Sequence, residues 1–177
     1  MPFRQSLLGG SNRNSGHPSG EAVAWAPGVK FVRSGGRWAC GPDSRGLSKR
    51  FYPWVDVATS LGVIRIICAH RPPRRNSLLA LLGPAADRRL RRVIRNARTA
   101  GVMWAVGGDW NELIANDPAE LAKRLGAHWF GHRIDGWAVC PRLAEHVTKR
   151  VEPDGRRDNH DIVYLTLGTT TTKEKAA

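Results

Sequence analysis

Polar residues suited to chemistry stand at the ends of four apolar runs of strand length. They are carboxylates, amides and histidines: His70, Asp109, Asn111, Asp135, Asp158, Asn159, His160 and Asp161. If the strands lie side by side, these side chains gather at one rim of a sheet, where active sites are commonly built. Such groups can position a water molecule, hold a divalent cation through oxygen ligands and stabilise developing negative charge.

Each of these residues also has a purely structural interpretation. Asp109 can cap the turn after its strand, and Asn111 can simply tolerate a tight turn. His70 precedes a Pro-Pro loop and can be a surface histidine, while Asp135 can bond the neighbouring backbone. The run 158–161 can be a solvated turn. Joint occurrence at successive strand ends favours the chemical interpretation.

The elements that would position these residues are mainly strands. Residues 21–26 and 29–33 flank Pro27-Gly28, a turn dipeptide that predicts a hairpin. Residues 37–50 indicate a loop. Residues 51–59 and 62–70 predict two strands joined at Ser60-Leu61, and further strands are expected at 102–106, 134–139 and 161–167.

Two helical regions separate the later strands. Residues 77–82 begin a helix that Gly83-Pro84 should interrupt, and apolar residues then recur at helical spacing over 85–100. Asp117 and Pro118 provide an N-cap and first helical position for a second helix. This order predicts a layered α/β sandwich with a mixed sheet, rather than a doubly wound nucleotide-binding fold.

The expected domain covers residues 21–168, between a flexible arm at 1–20 and a disordered tail at 169–177. The three cysteines form no CxxC pair, which favours buried free thiols in a reducing cytoplasm. The start does not resemble a signal peptide, and no apolar run approaches the roughly 18 residues of a membrane span. We therefore expect a cytoplasmic location.

The net charge of +13 favours a polyanionic partner, because phosphate contacts release counterions. Nine arginines lie between Arg71 and Arg98, where Asp87 is the only acid. The alternative, an ordinary solvated helix face, would usually include glutamates for ion pairs. We predict nucleic-acid binding by a subset of these residues: Arg71, Arg74, Arg75, Arg88, Arg92 and Arg95.

Most tryptophans fall on strands and suit a core, but Trp110 and Trp129 are candidates for base stacking.

Four ordered motifs carry a family resemblance. They are GVIRIICAHRPP, MWAVGGDWNE, HRIDGWAVC and DNHDIVYLTL. In order and spacing they resemble the later motifs of the endonuclease/exonuclease/phosphatase superfamily. Those motifs are a strand ending in histidine, then GDFN, then an Arg-hydrophobic-Asp strand start, then Ser-Asp-His. The resemblance covers roughly residues 21–167 and implies a DNase-I-like αββα sandwich.

The resemblance also implies roles. Asp109 and Asn111 correspond to the pair that orients the attacking water and contacts the phosphate. His160 corresponds to the histidine that stabilises the transition state, held by Asp135, and His70 to a phosphate-side histidine. Asp158 and Asn159 fall where the family holds Mg²⁺ or Mn²⁺.

Two departures from the family pattern bear on activity. Asn159 stands where the family has a metal-binding aspartate, and neutral asparagine is a poorer ligand for Mg²⁺. The family's N-terminal unit, which supplies a metal-binding glutamate, has no counterpart in residues 1–20, so we expect a shortened or divergent member.

The main expectation is a metal-dependent nuclease. A catalytically impaired nucleic-acid-binding remnant of the same fold, or a phosphatase of small or lipid phosphoesters, are the alternatives.

Overall fold

The computed structural model describes residues 4–9, 21–25, 28–40, 50–71, 77–111, 118–153 and 161–168. The strands are β1 (Arg4–Gly9), β2 (Glu21–Trp25), β3 (Lys30–Cys40), β4 (Arg50–Thr59), β5 (Gly62–Cys68), β6 (Met103–Asp109), β7 (His128–His132), β8 (Asp135–Val139), β9 (Val147–Pro153) and β10 (Asp161–Leu167). The helices are α1 (Ser77–Thr99), α2 (Pro118–Arg124) and α3 (Pro141–Ala144).

The central feature is a six-stranded mixed sheet with the order β3-β4-β5-β6-β8-β7. Only β5 and β6 run parallel within it, and α1 forms the crossover between them. Two small antiparallel sheets pack against the large one, β1–β2 against β4 and β5, and β9–β10 against β7 and β8. The predicted mixed α/β sandwich is therefore confirmed.

Helix α1 buries the apolar stripe that its sequence predicted. Leu90, Val93, Ile94 and Ala97 are all nearly inaccessible to solvent. Burial of each larger apolar side chain contributes about 2 kcal/mol. The predicted interruption at Gly83-Pro84 was wrong, because the helix runs unbroken from residue 77 to 99. Pro84 is exposed, and we infer that packing of the helix compensates for the one backbone hydrogen bond that proline removes.

The first strands pair differently from the expected hairpin. Strand β2 pairs with β1, from Gly9 opposite Glu21 to Arg4 opposite Trp25, and β3 pairs with β4 instead. Residues 4–9 are thus a strand where an arm was predicted, and β3 continues to residue 40, into the predicted loop. Residues 10–20, the rest of that loop at 41–49 and the tail at 169–177 lie outside the described residues.

A buried charge cluster ties the strands β3, β4 and β5 together. The Asp56 carboxylate is fully buried and accepts hydrogen bonds from Arg65 Nε at 2.7 Å and Nη2 at 2.9 Å. Arg33 Nε donates to the same carboxylate at 2.8 Å. The Arg65 guanidinium also lies 3.8 Å from the centre of the Trp54 ring. These three strands are therefore joined by ion pairs as well as by backbone bonds.

The strands β7 and β9 and the short helix α3 were not predicted. Neither Cys68 nor Cys140 forms a disulfide, as expected, but only Cys140 is buried, and Cys68 is partly exposed. The side chain of Cys40 lies outside the described part. No helix in the described residues is long and apolar enough to cross a membrane.

Candidate active site

The parallel strands β5 and β6 end at the same edge of the sheet and bring the first candidate residues together. Beyond the end of β5, Ala69 N donates to Gly107 O at 2.9 Å and Arg71 N donates to Asp109 O at 3.0 Å. These bonds hold the segment that carries His70 beside the end of β6. The approach depends on Gly108, which has a φ of +143° and would place a Cβ 2.0 Å from the Ala69 carbonyl oxygen.

A compact cluster of His70, Asp109 and Asn111 forms at this edge. The Asp109 Oδ1 atom accepts the backbone N–H of Asn111 at 2.8 Å, and Oδ2 accepts its side-chain Nδ2 at 3.0 Å. The His70 Nε2 atom lies 3.4 Å from the same Oδ2. Asn111 Nδ2 also donates to Arg71 O at 2.8 Å. These bonds fix the amide orientation, so that the Asn111 Oδ1 atom is the group left for an outside partner.

Trp110 anchors this cluster to the core. Its side chain is fully buried, its backbone N donates to Ile134 O at 2.7 Å, and its indole Nε1 donates to Gly136 O at 3.1 Å. The ring meets Trp129 edge to face, with centroids 5.4 Å apart. Trp110 therefore cannot stack on a nucleic-acid base in this structure, contrary to the prediction, whereas Trp129 is only partly buried.

Asp135 lies directly across from Asp109. The two residues are paired at the ends of β6 and β8, so their side chains point to the same face of the sheet. The Asp135 Oδ2 atom accepts the backbone N–H of Asp161 at 3.0 Å, which brings the start of β10 to this edge. His160, the predicted partner of Asp135, lies outside the described residues, as do Asp158 and Asn159. The structure thus joins four of the candidates, His70, Asp109, Asn111 and Asp135, with Asp161.

Arg71 occupies a different place from the one predicted. Its side chain is only 1% exposed, and its Nη2 and Nε atoms bond Asp87 Oδ1 at 2.7 and 3.1 Å. Its Nη1 atom donates to the Trp110 carbonyl oxygen at 3.2 Å. The residue therefore braces α1 against the site and does not present its charge at the surface. Arg74 and Arg75 lie outside the described residues.

Exposed arginines line the outer side of α1. Arg88, Arg92 and Arg95 are exposed and follow one another at helical spacing, on the side opposite the buried Leu90. The Arg71–Asp87 contact sets the part of α1 around Asp87 beside the site. The arginine row therefore begins close to the site and extends about 10 Å along the helix.

Sequence reasoning missed a histidine–aspartate pair at the same edge. The His132 Nδ1 atom lies 2.6 Å from Asp161 Oδ2. His132 ends β7 opposite Asp135, after which Arg133 and Ile134 make a two-residue turn. The short HRID segment signals only that His132 lies beside Asp135, because a two-residue turn sets the residues that flank it side by side. The pairing with Asp161 has no local signal in the sequence.

The donor chemistry of this edge suits a hard divalent cation, which prefers carboxylate and amide oxygens. Among the described residues, however, no three His, Cys, Asp or Glu side chains form a group that could hold a metal ion. A complete metal site would therefore need further ligands from outside the described residues, such as Asp158 and Asn159.

Comparison with known proteins identifies the fold. No family model matches the sequence, and a search of curated proteins found no match. Solved structures do match, and they include endonuclease/exonuclease/phosphatase proteins from Leptotrichia buccalis and Beutenbergia cavernae. The chain therefore shares the DNase-I-like fold of these structures, as its motifs predicted.

Three solved structures illustrate the likeness. An endonuclease/exonuclease/phosphatase family protein from Leptotrichia buccalis has a TM-score of 0.67 at 12% identity, over 95% of this chain and 72% of that one. The 3′ phosphatase NExo from Neisseria, bound to a product DNA hairpin, has a TM-score of 0.61 at 15% identity, over 94% and 80%. The human Nocturnin catalytic domain has a TM-score of 0.55 at 13% identity, over 93% and 65%.

Proposed function

We propose that this chain hydrolyses phosphodiester bonds in DNA or RNA, with Mg²⁺ or Mn²⁺ as cofactor. The observation that carries the proposal is the meeting of His70, Asp109, Asn111 and Asp135 at one edge of the sheet. The fold supports it, since the similar structures include nuclease and phosphatase enzymes, one of them bound to DNA.

Asp109 is the proposed residue for positioning the attacking water. Its carboxylate is 19% exposed and already accepts two hydrogen bonds from Asn111, so it is held in one orientation and remains within reach of solvent. A fixed orientation of such a group raises the reaction rate, because the entropy of ordering it is lost on folding and not when the substrate binds. Asn111 Oδ1 and His70 then face the same substrate phosphate.

The imidazole of His160 is proposed to stabilise charge on the phosphate in the transition state. Asp135 would orient it, and the hydrogen bond from Asp161 N–H to Asp135 supports this assignment because His160 is the preceding residue. Asp158 and Asn159 are the proposed metal ligands. A bound Mg²⁺ or Mn²⁺ would supply Lewis-acid stabilisation of the phosphate oxygens.

The test is cleavage of labelled DNA and RNA oligonucleotides with Mg²⁺, with Mn²⁺ and with EDTA. We expect metal-dependent cleavage that Asp109→Asn lowers by at least about 100-fold, because loss of one preorganised electrostatic group costs that much. Glu120→Gln is the matched control, because Glu120 is an exposed carboxylate on α2 that pairs with Lys123 and Arg124 on the same helix. Equal activity of the two variants would overturn the assignment of Asp109.

A nucleic-acid-binding protein without turnover is the second candidate. The neutral Asn159 at a proposed metal position and the exposed arginine row of α1 favour it. This candidate predicts salt-sensitive binding of oligonucleotides with no cleavage under any metal. Turnover of inositol phosphates in preference to oligonucleotides would instead identify a small-molecule phosphatase.

A further inference from the structure

The turn between β7 and β8 places His132 in line with the proposed catalytic residues. His132 is paired with Asp135, and Asp135 is paired with Asp109, so the three residues form one row across the strands β7, β8 and β6. Residues paired across strands point to the same face. With strands about 4.8 Å apart, the Cα of His132 lies about 10 Å from the Cα of Asp109.

Asp161 fixes the orientation of the His132 ring. A carboxylate accepts hydrogen bonds, so the 2.6 Å contact with Asp161 Oδ2 assigns the proton to Nδ1. The backbone N–H of Asp161 is itself bound to Asp135, and the Asp161 side chain is only 10% exposed, so this support is rigid. The His132 side chain is 53% exposed, which leaves its Nε2 atom as the ring nitrogen for an outside ligand.

Besides the carboxylate of Asp161, two cationic residues lie near His132 in the sequence or through a hydrogen bond. Lys149 Nζ donates to the carbonyl oxygen of Gly131, the residue before His132, at 3.0 Å. Arg133 follows His132 at the exposed tip of the turn. His132 thus has one cation next to it in the sequence, Arg133, and a second, Lys149, held at the carbonyl of the residue before it. Cations of this kind supply most protein contacts to nucleic-acid phosphates.

We propose that His132, oriented by Asp161, binds a phosphate of the polynucleotide beside the one that is hydrolysed. Two strand spacings, about 10 Å between Cα atoms, separate His132 from Asp109 along the row, and a neighbouring phosphate of the same strand can lie over that span. The inference rests on the proposed function and extends it by selecting a polymeric substrate over a single phosphoester.

The experiment compares His132→Ala with His128→Ala, an exposed histidine on the same strand but four residues away from the site edge. Steady-state rates are measured on a labelled oligonucleotide and on bis(4-nitrophenyl) phosphate, which has a single diester. For His132→Ala we expect the ratio of kcat/KM on the oligonucleotide to kcat/KM on the diester to fall about tenfold, through KM. His128→Ala should leave the ratio unchanged.

Asp161→Asn tests the positioning role, because it keeps the backbone bond to Asp135 while it weakens the contact with the ring. We expect a smaller fall of the same ratio, with the change again in KM. Equal losses on both substrates for His132→Ala would overturn the inference, since they would place His132 at the reacting phosphate. An unchanged ratio would overturn it as well.

A binding measurement separates this inference from the proposed hydrolysis. Fluorescence anisotropy with the labelled oligonucleotide in EDTA needs no turnover, and we expect His132→Ala to raise Kd about tenfold relative to His128→Ala. If the wild-type chain binds but never cleaves, the proposed hydrolysis fails, and this Kd comparison still decides the role of His132. If it neither binds nor cleaves, both proposals fail.

Discussion

Single residues at the site are held by backbone contacts that leave little room for change. Gly108 is the clearest case, because the residue directly before Asp109 lies against the Ala69 carbonyl oxygen with a φ of +143°. Asn111 adopts a φ of +53°, a conformation that asparagine tolerates better than most residues. The positions of the candidate catalytic side chains therefore depend on their unreactive neighbours.

Gly108→Ala should destabilise the protein and lower activity. The added Cβ would stand 2.0 Å from a backbone oxygen and cannot be relieved by a rotamer change. Strain and overpacking together predict a loss of about 2–4 kcal/mol in the free energy of unfolding, measured by urea denaturation. Gly101→Ala is the control, because it also has positive φ, +67°, but meets nothing within 4 Å. It should lose only about 1 kcal/mol, and equal losses would refute the steric explanation.

At the scale of elements, the Asp56 cluster is the main polar connection among the first strands of the large sheet. Burial opposes ionisation of Asp56, but hydrogen bonds and positive charge from Arg65 and Arg33 outweigh it. The pKa of Asp56 therefore lies below its ordinary value of 3.8. A carboxyl group with a lowered folded-state pKa contributes stability above its unfolded pKa, and this contribution is lost as the pH falls through the folded-state value.

Asp56→Asn should cost about 3–5 kcal/mol at pH 7, because it leaves the buried Arg65 guanidinium without its counter-charge. As the pH falls below about 4, the wild type should lose the stability that ionised Asp56 contributes. The variant has no such contribution to lose, so its stability should fall less over the same pH range. Urea denaturation of wild type and variant between pH 7 and pH 3 measures both effects. Glu152→Gln removes an exposed partner of Arg150 and should cost less than about 1 kcal/mol. A comparable loss for Glu152→Gln would contradict the special role of the buried cluster.

The exposed arginine row on α1 leads to a separate prediction about nucleic-acid binding. Two triple variants remove equal charge: Arg88, Arg92 and Arg95 to Gln on α1, and Lys123, Arg124 and Arg142 to Gln elsewhere. If the row contacts phosphates, the first variant should bind duplex DNA with a weaker salt dependence. The magnitude of the slope of log association constant against log salt concentration should fall by about 2–3, because each contact contributes about 0.9. The second should change it by less than about 1. Equal changes would show that only the net charge matters.

For the whole molecule, the sequence was most informative where local pattern and global fold agree. The run 62–68 is apolar and β-branched and became the central strand β5, and the helical stripe of α1 was buried as expected. The polar residues at the ends of successive strands also indicated the edge of the sheet where the candidate site lies. The rest depended on long-range pairing. Pro27-Gly28 signals a turn, but β2 pairs with β1 and packs against β4 and β5, and no local signal contains these long-range contacts.

Other features escaped prediction for similar physical reasons. Strand β7 is half exposed and lacks a clean alternation, and β9 carries charged residues within a partly exposed run. Arg71 and Asp87 looked like surface charges until the crossover of α1 brought them together. The pairing of His132 with Asp161 joins residues 29 positions apart, so only the fold reveals it.

The fully buried indole of Trp110 sits between two polar neighbours in sequence, Asp109 and Asn111. Its side chain and backbone are bonded to Gly136 and Ile134, on either side of Asp135. A repacked interior beneath this ring would tilt residues of two strands at once. Core mutations that never touch a ligand should therefore abolish the proposed hydrolysis while the chain still melts as a folded protein. Selection for the proposed activity would then preserve the interior of the sheet as strictly as the edge that carries Asp109 and Asp135.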